Sequence, residues 1–569
     1  MSDSQGQSLE DKWNEVLKGG RIKSGNSVSY LIDGWATFES MYQAILTTLT
    51  GSTEKYYIYF FGWWLDYNFL LNTPVNQTDK PDPDSSFYNL LKRAVNQKVE
   101  VRIMLWDNPL HKGIPVVYPA GVEWQVKHIN NLGSIIKKNN DSVAAVADGD
   151  NIKFKRTLQS HHQKLLVVNG NEGLVGFCGG LDIAEDRVKT IASHKGSPYH
   201  DVHCRIKGDS VTDLIDVFRQ RWNASSRVAQ LDETKRSLRA PEKPLSEGAR
   251  EGNQNVCVLR TFLSRQNLCV KEASIGPAIL NAIRAAKNSI YIEDQYMINA
   301  CALGAPGADK DPTSASVAKA LGEQLKKLEH ITILIPHSAI SDLPGVWQAR
   351  LDFVNKIFEN SSVGAEEKTR YSRAFSQEPS LPLKPPFPKL RIFFKYEPPN
   401  GYPPLFKKVY QPEDFGPKSY VHAKVWVFDD ELAIIGSANC NQRGWNFDSE
   451  VAAAIYDHEP DPSYKIPSFA QKLRVKLWAE HLHFSINSAK DQETQIANGI
   501  QEKGNCWFTQ DARQYVRLYN PVETKDPPLS GNAVSNKEAN PAQAPDIFEL
   551  IGDPNLLTLL KIPKCSINK

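Results

Sequence analysis

Cysteine is scarce in any useful arrangement: Cys178, Cys204, Cys257, Cys269, Cys301, Cys440, Cys506 and Cys565 are scattered, with no CxxC pair. Their spacing fits neither a zinc site nor a disulfide framework, and leaves them as small, reduced core residues. Long hydrophobic runs are missing too. The most apolar stretch, Tyr56 to Leu71, carries Asp66 and Asn68 and reads as a buried strand and loop rather than a membrane span. The opening MSDSQGQSLEDKWNEVLKGG has no basic n-region and no apolar h-region, so a Sec-type leader is not expected. The expectation is a chain made in the cytoplasm that stays there, at a membrane face, or leaves by a leaderless route. An excess of one charge is also absent. Lys+Arg number 67 against 65 Asp+Glu, a formal net charge of +2 that supplies no global field for nucleic acid.

What is present is a large, repeated chain. At 569 residues, 41% hydrophobic and 23% charged, it is too long for one ordinary core and too apolar for disorder. Phe38, Met41, Tyr42, Ile45 and Leu49 recur at helical spacing before the apolar run Tyr57 to Phe61; Ile275, Ile279, Ile283 and Ala286 do the same before Ser289 to Ile292. A helix around Phe87, Leu90, Leu91 and Val95 then leads into a strand from Val99 to Leu105, matched by Val317, Leu321, Leu325 and Leu328 leading into Ile331 to Ile335. Further helices with apolar stripes fall at Val211 to Trp222 and at Phe469 to Trp478. Strands alternating with helices in the same order twice predict two homologous α/β halves related by a pseudo-twofold, each with a central sheet covered on both faces.

The boundaries expected are a lead-in over 1–28, a first half over 29–224, a polar linker over 225–255, a second half over 256–485 and a partly disordered extension over 486–569. Within that extension the segment from Asn505 to Leu518 offers a further strand, and Ile547 to Leu560 a short apolar element. Two segments, Ala302 to Ser316 and Val363 to Pro388, read as insertions.

Each half carries a His-x-Lys. In the second, His422-Ala423-Lys424 is followed by Asp429, by Gly436-Ser437-Ala438-Asn439 and by Glu450; in the first, His162-Gln163-Lys164 is followed by Asn169, Gly179-Gly180 and Asp201. On a strand, positions two apart share a face, which sets an imidazole beside an ammonium. That pair suits a phosphodiester, because lysine neutralises phosphoryl oxygens while histidine attacks phosphorus or moves a proton. One such triplet is an ordinary polar strand face; its repetition is what gives it weight.

From about Ser29 to Leu482 the sequence resembles the phospholipase D superfamily, whose members carry HxKxxxxD and a GG or GS turn. The companion signatures are GGLDIAEDR at Gly179 to Arg187, IYIEDQYM at Ile290 to Met297 and VLRTF at Val258 to Phe262. The resemblance implies that His162 and His422 meet across one phosphate, His162 forming a phosphohistidine and His422 protonating the leaving alcohol. It implies that Lys164, Lys424, Asn439 and Ser437 bind the non-bridging oxygens, and that acidic residues orient the rings: Asp201 for His162 and Glu450 for His422, with Asp182 in reserve. Asn169, Asp429, Gly179, Gly180 and Gly436 would support the motifs. No metal or other cofactor is required. Asn169 departs from the family's aspartate, and the turn that follows it is longer than its counterpart.

His161 and His203 read as structural or supporting neighbours; Trp63, Trp64, Tyr67, Gln295 and Tyr296 follow strand ends, and Cys178 and Cys440 flank the catalytic turns without any mark of reactivity. The function expected is cleavage of glycerophospholipids to phosphatidic acid and free headgroup, with transfer to another alcohol as a companion reaction, by a monomer working at a phospholipid surface. The alternatives are a nucleic-acid phosphodiesterase, for which no basic stripe speaks, a cardiolipin or phosphatidylserine synthase, for which no amino-terminal membrane helix is visible, and a catalytically impaired phospholipid-binding protein, motivated by Asn169.

Overall fold

The computed structural model describes residues 8–51, 53–72, 82–107, 122–135, 141–149, 160–188, 199–241, 250–262, 272–298, 314–336, 346–377, 383–395, 419–446, 448–458, 468–482, 504–509 and 512–519. The apolar segment at 547–560, most of the first insertion and the cysteines at 269, 301 and 565 lie outside them.

Each half builds one mixed sheet. In the first, Tyr57–Gly62, Glu100–Trp106 and Val143–Asp148 run parallel, and Leu165–Gly170, Gly173–Gly179, Val202–Lys207 and Ile22–Ile32 continue the sheet antiparallel. The second repeats that order with Ser289–Asp294, His330–Ile335 and Leu390–Lys395 parallel, then Lys424–Phe428, Leu432–Gly436, Glu450–Asp457 and Gln254–Phe262. Central strands such as YIYFFG are buried at every position, as strands covered on both faces must be. The expected pair of α/β halves is therefore present.

The halves join edge to edge where Ile22–Ile32 pairs with Gln254–Phe262, so the two sheets run into one. This strand begins before the expected domain start at 29. The lead-in also holds a helix, Leu9–Val16, whose Trp13 packs on Phe428 of the second half. One core is shared: Tyr59, Phe61, Phe218 and Trp222 of the first half sit in the same apolar cluster as Val425, Leu473 and Trp478 of the second.

Two stretches hold structure that the sequence did not reveal. The stretch after Val363 holds a helix, Gly364–Ser376, whose buried Tyr371 hydroxyl donates to Ile392 O and Tyr519 O. The polar linker is fastened to the first half: Arg102 donates to Thr234 O and Ser237 O, and Ala240 N–H donates to the Tyr59 hydroxyl. Val516–Leu518 pairs antiparallel with Leu390–Lys395 and supplies the extra strand expected there.

Candidate active site

The two His-x-Lys segments do not lie within regular strands. Each crosses the seam between halves just before its strand begins, Leu165 in the first and Lys424 in the second. His162 N–H donates to Ser449 O of the second half (2.9 Å), and His422 N–H donates to His200 O of the first (2.8 Å). Short parallel bridges, His161 with Ser449 and Tyr420–Val421 with Tyr199–His200, fix both crossings.

These crossings decide which acid serves which ring. Ser449 precedes Glu450 and His200 precedes Asp201, so each histidine meets the carboxylate of the other half. His162 Nδ1 lies 3.0 Å from Glu450, and His422 Nδ1 lies 2.6 Å from Asp201. The assignment expected from the sequence, Asp201 with His162 and Glu450 with His422, is reversed. Each acid does bond to a motif histidine ring, and Asp182 does not. Its Oδ1 accepts from Trp63 N and Trp64 N, and its Oδ2 stands 3.5 Å from Lys164 Nζ.

Both lysines are held within the site. Lys164 Nζ donates to His162 O (2.9 Å); Lys424 Nζ donates to His422 O and to Gln295 Oε1 (3.1 Å). Asp294 plays in the second half the bracing part of Asp182, accepting from Tyr296 N, Met297 N and Cys440 N. Ser437 departs from expectation, because its hydroxyl donates to Glu450 and takes Val451 N–H (3.1 Å). It supports the acid rather than offering its proton to a phosphate. Asn439 is buried in the neighbouring turn. At Gly180 a Cβ would come within 2.2 Å of Asp201 Oδ1, at Gly179 within 2.5 Å of His203 Nδ1, and at Gly436 within 2.4 Å of Ala452 Cβ. The glycines are needed for this close approach.

Burial first, then the charges of Lys424, Arg187, Lys164 and His162, hold His422 well below the usual histidine range. Burial raises Asp201 to about 6 against the opposing pull of Lys424, and burial with the Lys164 charge drops His203 to about 3. His203 is thus a neutral neighbour. His161 is a supporting residue, bonded to Ser449 Oγ (3.0 Å) and 3.2 Å from Asp148. Trp63 meets His162 edge-on at 6.4 Å, and Tyr199 lies 5.2 Å from His422. Tyr67 stands apart, packed on Tyr88 and Trp124. Cys440 is buried with its thiol pushed up by burial, and Cys178 faces Cys204 across adjacent strands.

Sequence reasoning missed the cation Arg187, stacked on Tyr199 at 4.6 Å. It also missed a group behind Asp201 made of the buried His200, Glu293 and His481 and the half-buried Asp33 and Glu480. Glu293 bonds to the Nε2 atoms of His200 and His481, Asp33 stands at ion-pair distance from His200 Nδ1, and Lys395 lies 3.4 Å from Glu480.

The family model for phospholipase D matches residues 50–196, 188–335 and 416–515. Phospholipase D alpha 3 of Arabidopsis thaliana is 24% identical across 81% of this chain and 66% of its own length; phospholipase D alpha 1 of Ricinus communis is 25% identical across 88% and 70%. The chain spans about two thirds of the length of these curated relatives. In fold it is similar to the phosphatidylserine synthase of Haemophilus influenzae Rd KW20, with a TM-score of 0.51 at 11% identity over 97% of this chain and 99% of that one. With its duplicated sheet order, its paired His-x-Lys segments and this match over most of its length, the chain belongs to the phospholipase D family.

Proposed function

We propose that this protein cleaves glycerophospholipids between phosphate and headgroup, as a monomer at a phospholipid surface. The observation that carries this reading is the convergence of two histidine–carboxylate pairs and two lysines from both halves on one buried place. The names of the curated relatives support the substrate class.

Glu450 holds the proton of His162 on Nδ1 and leaves the Nε2 lone pair to attack phosphorus. The new P–N bond forms as the bond from phosphorus to the headgroup oxygen breaks, and His422 delivers a proton to that oxygen. Lys164 and Lys424 offset the charge gathering on the non-bridging oxygens. In the second step water, or an acceptor alcohol, gives its proton to His422 and displaces His162, breaking the P–N bond. His422 begins neutral in the free chain, so it must take up a proton with the substrate, and the phosphodiester anion helps by offsetting the lysine charges that depress it.

The test uses phosphatidylcholine liposomes beside a nitrophenyl phosphodiester. His162→Ala should abolish turnover and the covalent intermediate. His422→Ala should slow phosphatidylcholine cleavage roughly 10²–10⁴-fold, yet release nitrophenol in a burst and trap phosphate on His162, since that leaving group needs little protonation. Phosphate found on His422 by mass spectrometry reverses the roles, and turnover surviving both substitutions refutes the mechanism.

A further inference from the structure

Behind each catalytic pair lies a buried histidine in contact with an ion pair, and the two ion pairs have opposite polarity. In the first half His161 Nε2 stands 3.2 Å from Asp148, which pairs with Arg221 at 3.2 Å. Behind His422 and Asp201, His200 of the first half stands with Nδ1 3.3 Å from Glu480 of the second, which pairs with Lys395 at 3.4 Å. Asp148 and Lys395 each end the third parallel strand of their sheet, and Arg221 and Glu480 each lie near the end of the helix that follows the motif, Val211–Ala224 and Phe469–His481. Carboxylate and cation have exchanged elements between the repeats.

Two further acids, one from each half, surround His200 and have no counterpart around His161 among the described residues. Asp33 Oδ1 lies 2.9 Å from His200 Nδ1, and Glu293 accepts from His200 Nε2 at 2.8 Å. Glu293 also binds His481 Nε2 (2.8 Å) and the Tyr291 hydroxyl. Asp33 reaches the catalytic acid directly. Its Oδ1 accepts Asp201 N–H (3.1 Å), and its own N–H donates to Asp201 O (2.8 Å). His200 is also the residue whose carbonyl receives His422 N–H, so both members of the His422–Asp201 pair hang from it.

We propose that His200, clasped by Asp33 and Glu480 on one ring edge and by Glu293 on the other, is a positioning residue for the His422–Asp201 pair and so for proton delivery to the leaving alcohol. The inference rests on the roles given above to His162 and His422. Burial alone would depress His200, but the charges of Glu293, Asp33 and Glu480 outweigh it and hold the ring well above the usual histidine range, as an imidazolium. His481 stays neutral, lowered by burial to about 4. The imidazolium offsets the charge of the three carboxylates gathered around it and favours the charged form of Asp201. It also ties Asp33 of the first half to Glu293 and Glu480 of the second, which fixes the seam at this pair.

His200→Gln keeps a donor of similar reach and removes the charge. With phosphatidylcholine liposomes its kcat should fall roughly 10- to 100-fold at unchanged KM, the scale of a small misplacement of an acid. The nitrophenol burst should stay within about twofold of the natural chain. The acid limb of the liposome pH profile should shift. Glu293→Gln repeats the expectation should His200→Gln fail to fold. Asp148→Asn, behind the nucleophile, should by contrast slow both substrates. Equal losses on the two substrates for both His200→Gln and Glu293→Gln, or no loss on liposomes, overturn the inference. A natural chain that turns over neither substrate, or that carries its phosphate on His422, refutes the functional reading instead.

Discussion

His422 carries the clearest consequence at the scale of a single residue. Its ring is depressed by burial and by the surrounding cations, so in the free chain the protonated acid is a minority species at neutral pH. A general acid must be protonated to act, and kcat/KM reports groups of the free enzyme. kcat/KM should therefore rise as pH falls below 7. Rates at subsaturating substrate from pH 4 to 8 check this; an optimum above pH 8 contradicts it. The candidate catalytic groups were legible in the sequence, since His162, Lys164, His422 and Lys424 stand in a repeated triplet. The partnership of the acids was not. Spacing along a chain tells that Asp201 follows His162 and Glu450 follows His422, but the partnership is set by backbone bridges across the seam, which leave no pattern in either half.

Among elements, the ends of the motif strands explain the departure at Asn169. Asp429 gathers the N–H groups of Lys287, Asn288 and Ser289 and the ammonium of Lys12. Asn169 sits at the matching place and only its amide donates, to Lys55 O at 3.3 Å. It lies five positions along the chain from Lys164, about 16 Å in extended backbone, so it is a support and not a reacting group. Asp429→Asn should destabilise the fold by about 1–3 kcal/mol, read by urea unfolding. Asn169→Asp should change turnover by less than about tenfold, or ~1.4 kcal/mol of barrier. Periodicity located the main helices and strands because their buried faces recur at 3.6 or 2 residues. It failed at Gly364–Ser376, a helix that buries only a few residues such as Glu367 and Tyr371 and so shows little apolar stripe.

At the scale of the whole molecule, the halves cannot be separated without taking the site apart. The strand Ile22–Ile32 bonds to both, and each catalytic ring borrows its acid from across the seam. A chain cut between Pro241 and Arg250 should run as one complex in gel filtration and retain turnover, because these contacts lie elsewhere. Each piece expressed alone should show none. Turnover by an isolated piece refutes the shared site.

The crossed acids also set what can be exchanged between related proteins. A chimera that takes one whole half from a relative imports an acid for the resident histidine and a histidine for the resident acid, so both pairs become mixed at once. A chimera that trades His162 together with Glu450 keeps each pair matched although its parts are distant in the gene. The unit of compatibility in this fold is the histidine–carboxylate pair, and it cuts across the duplication that made the halves.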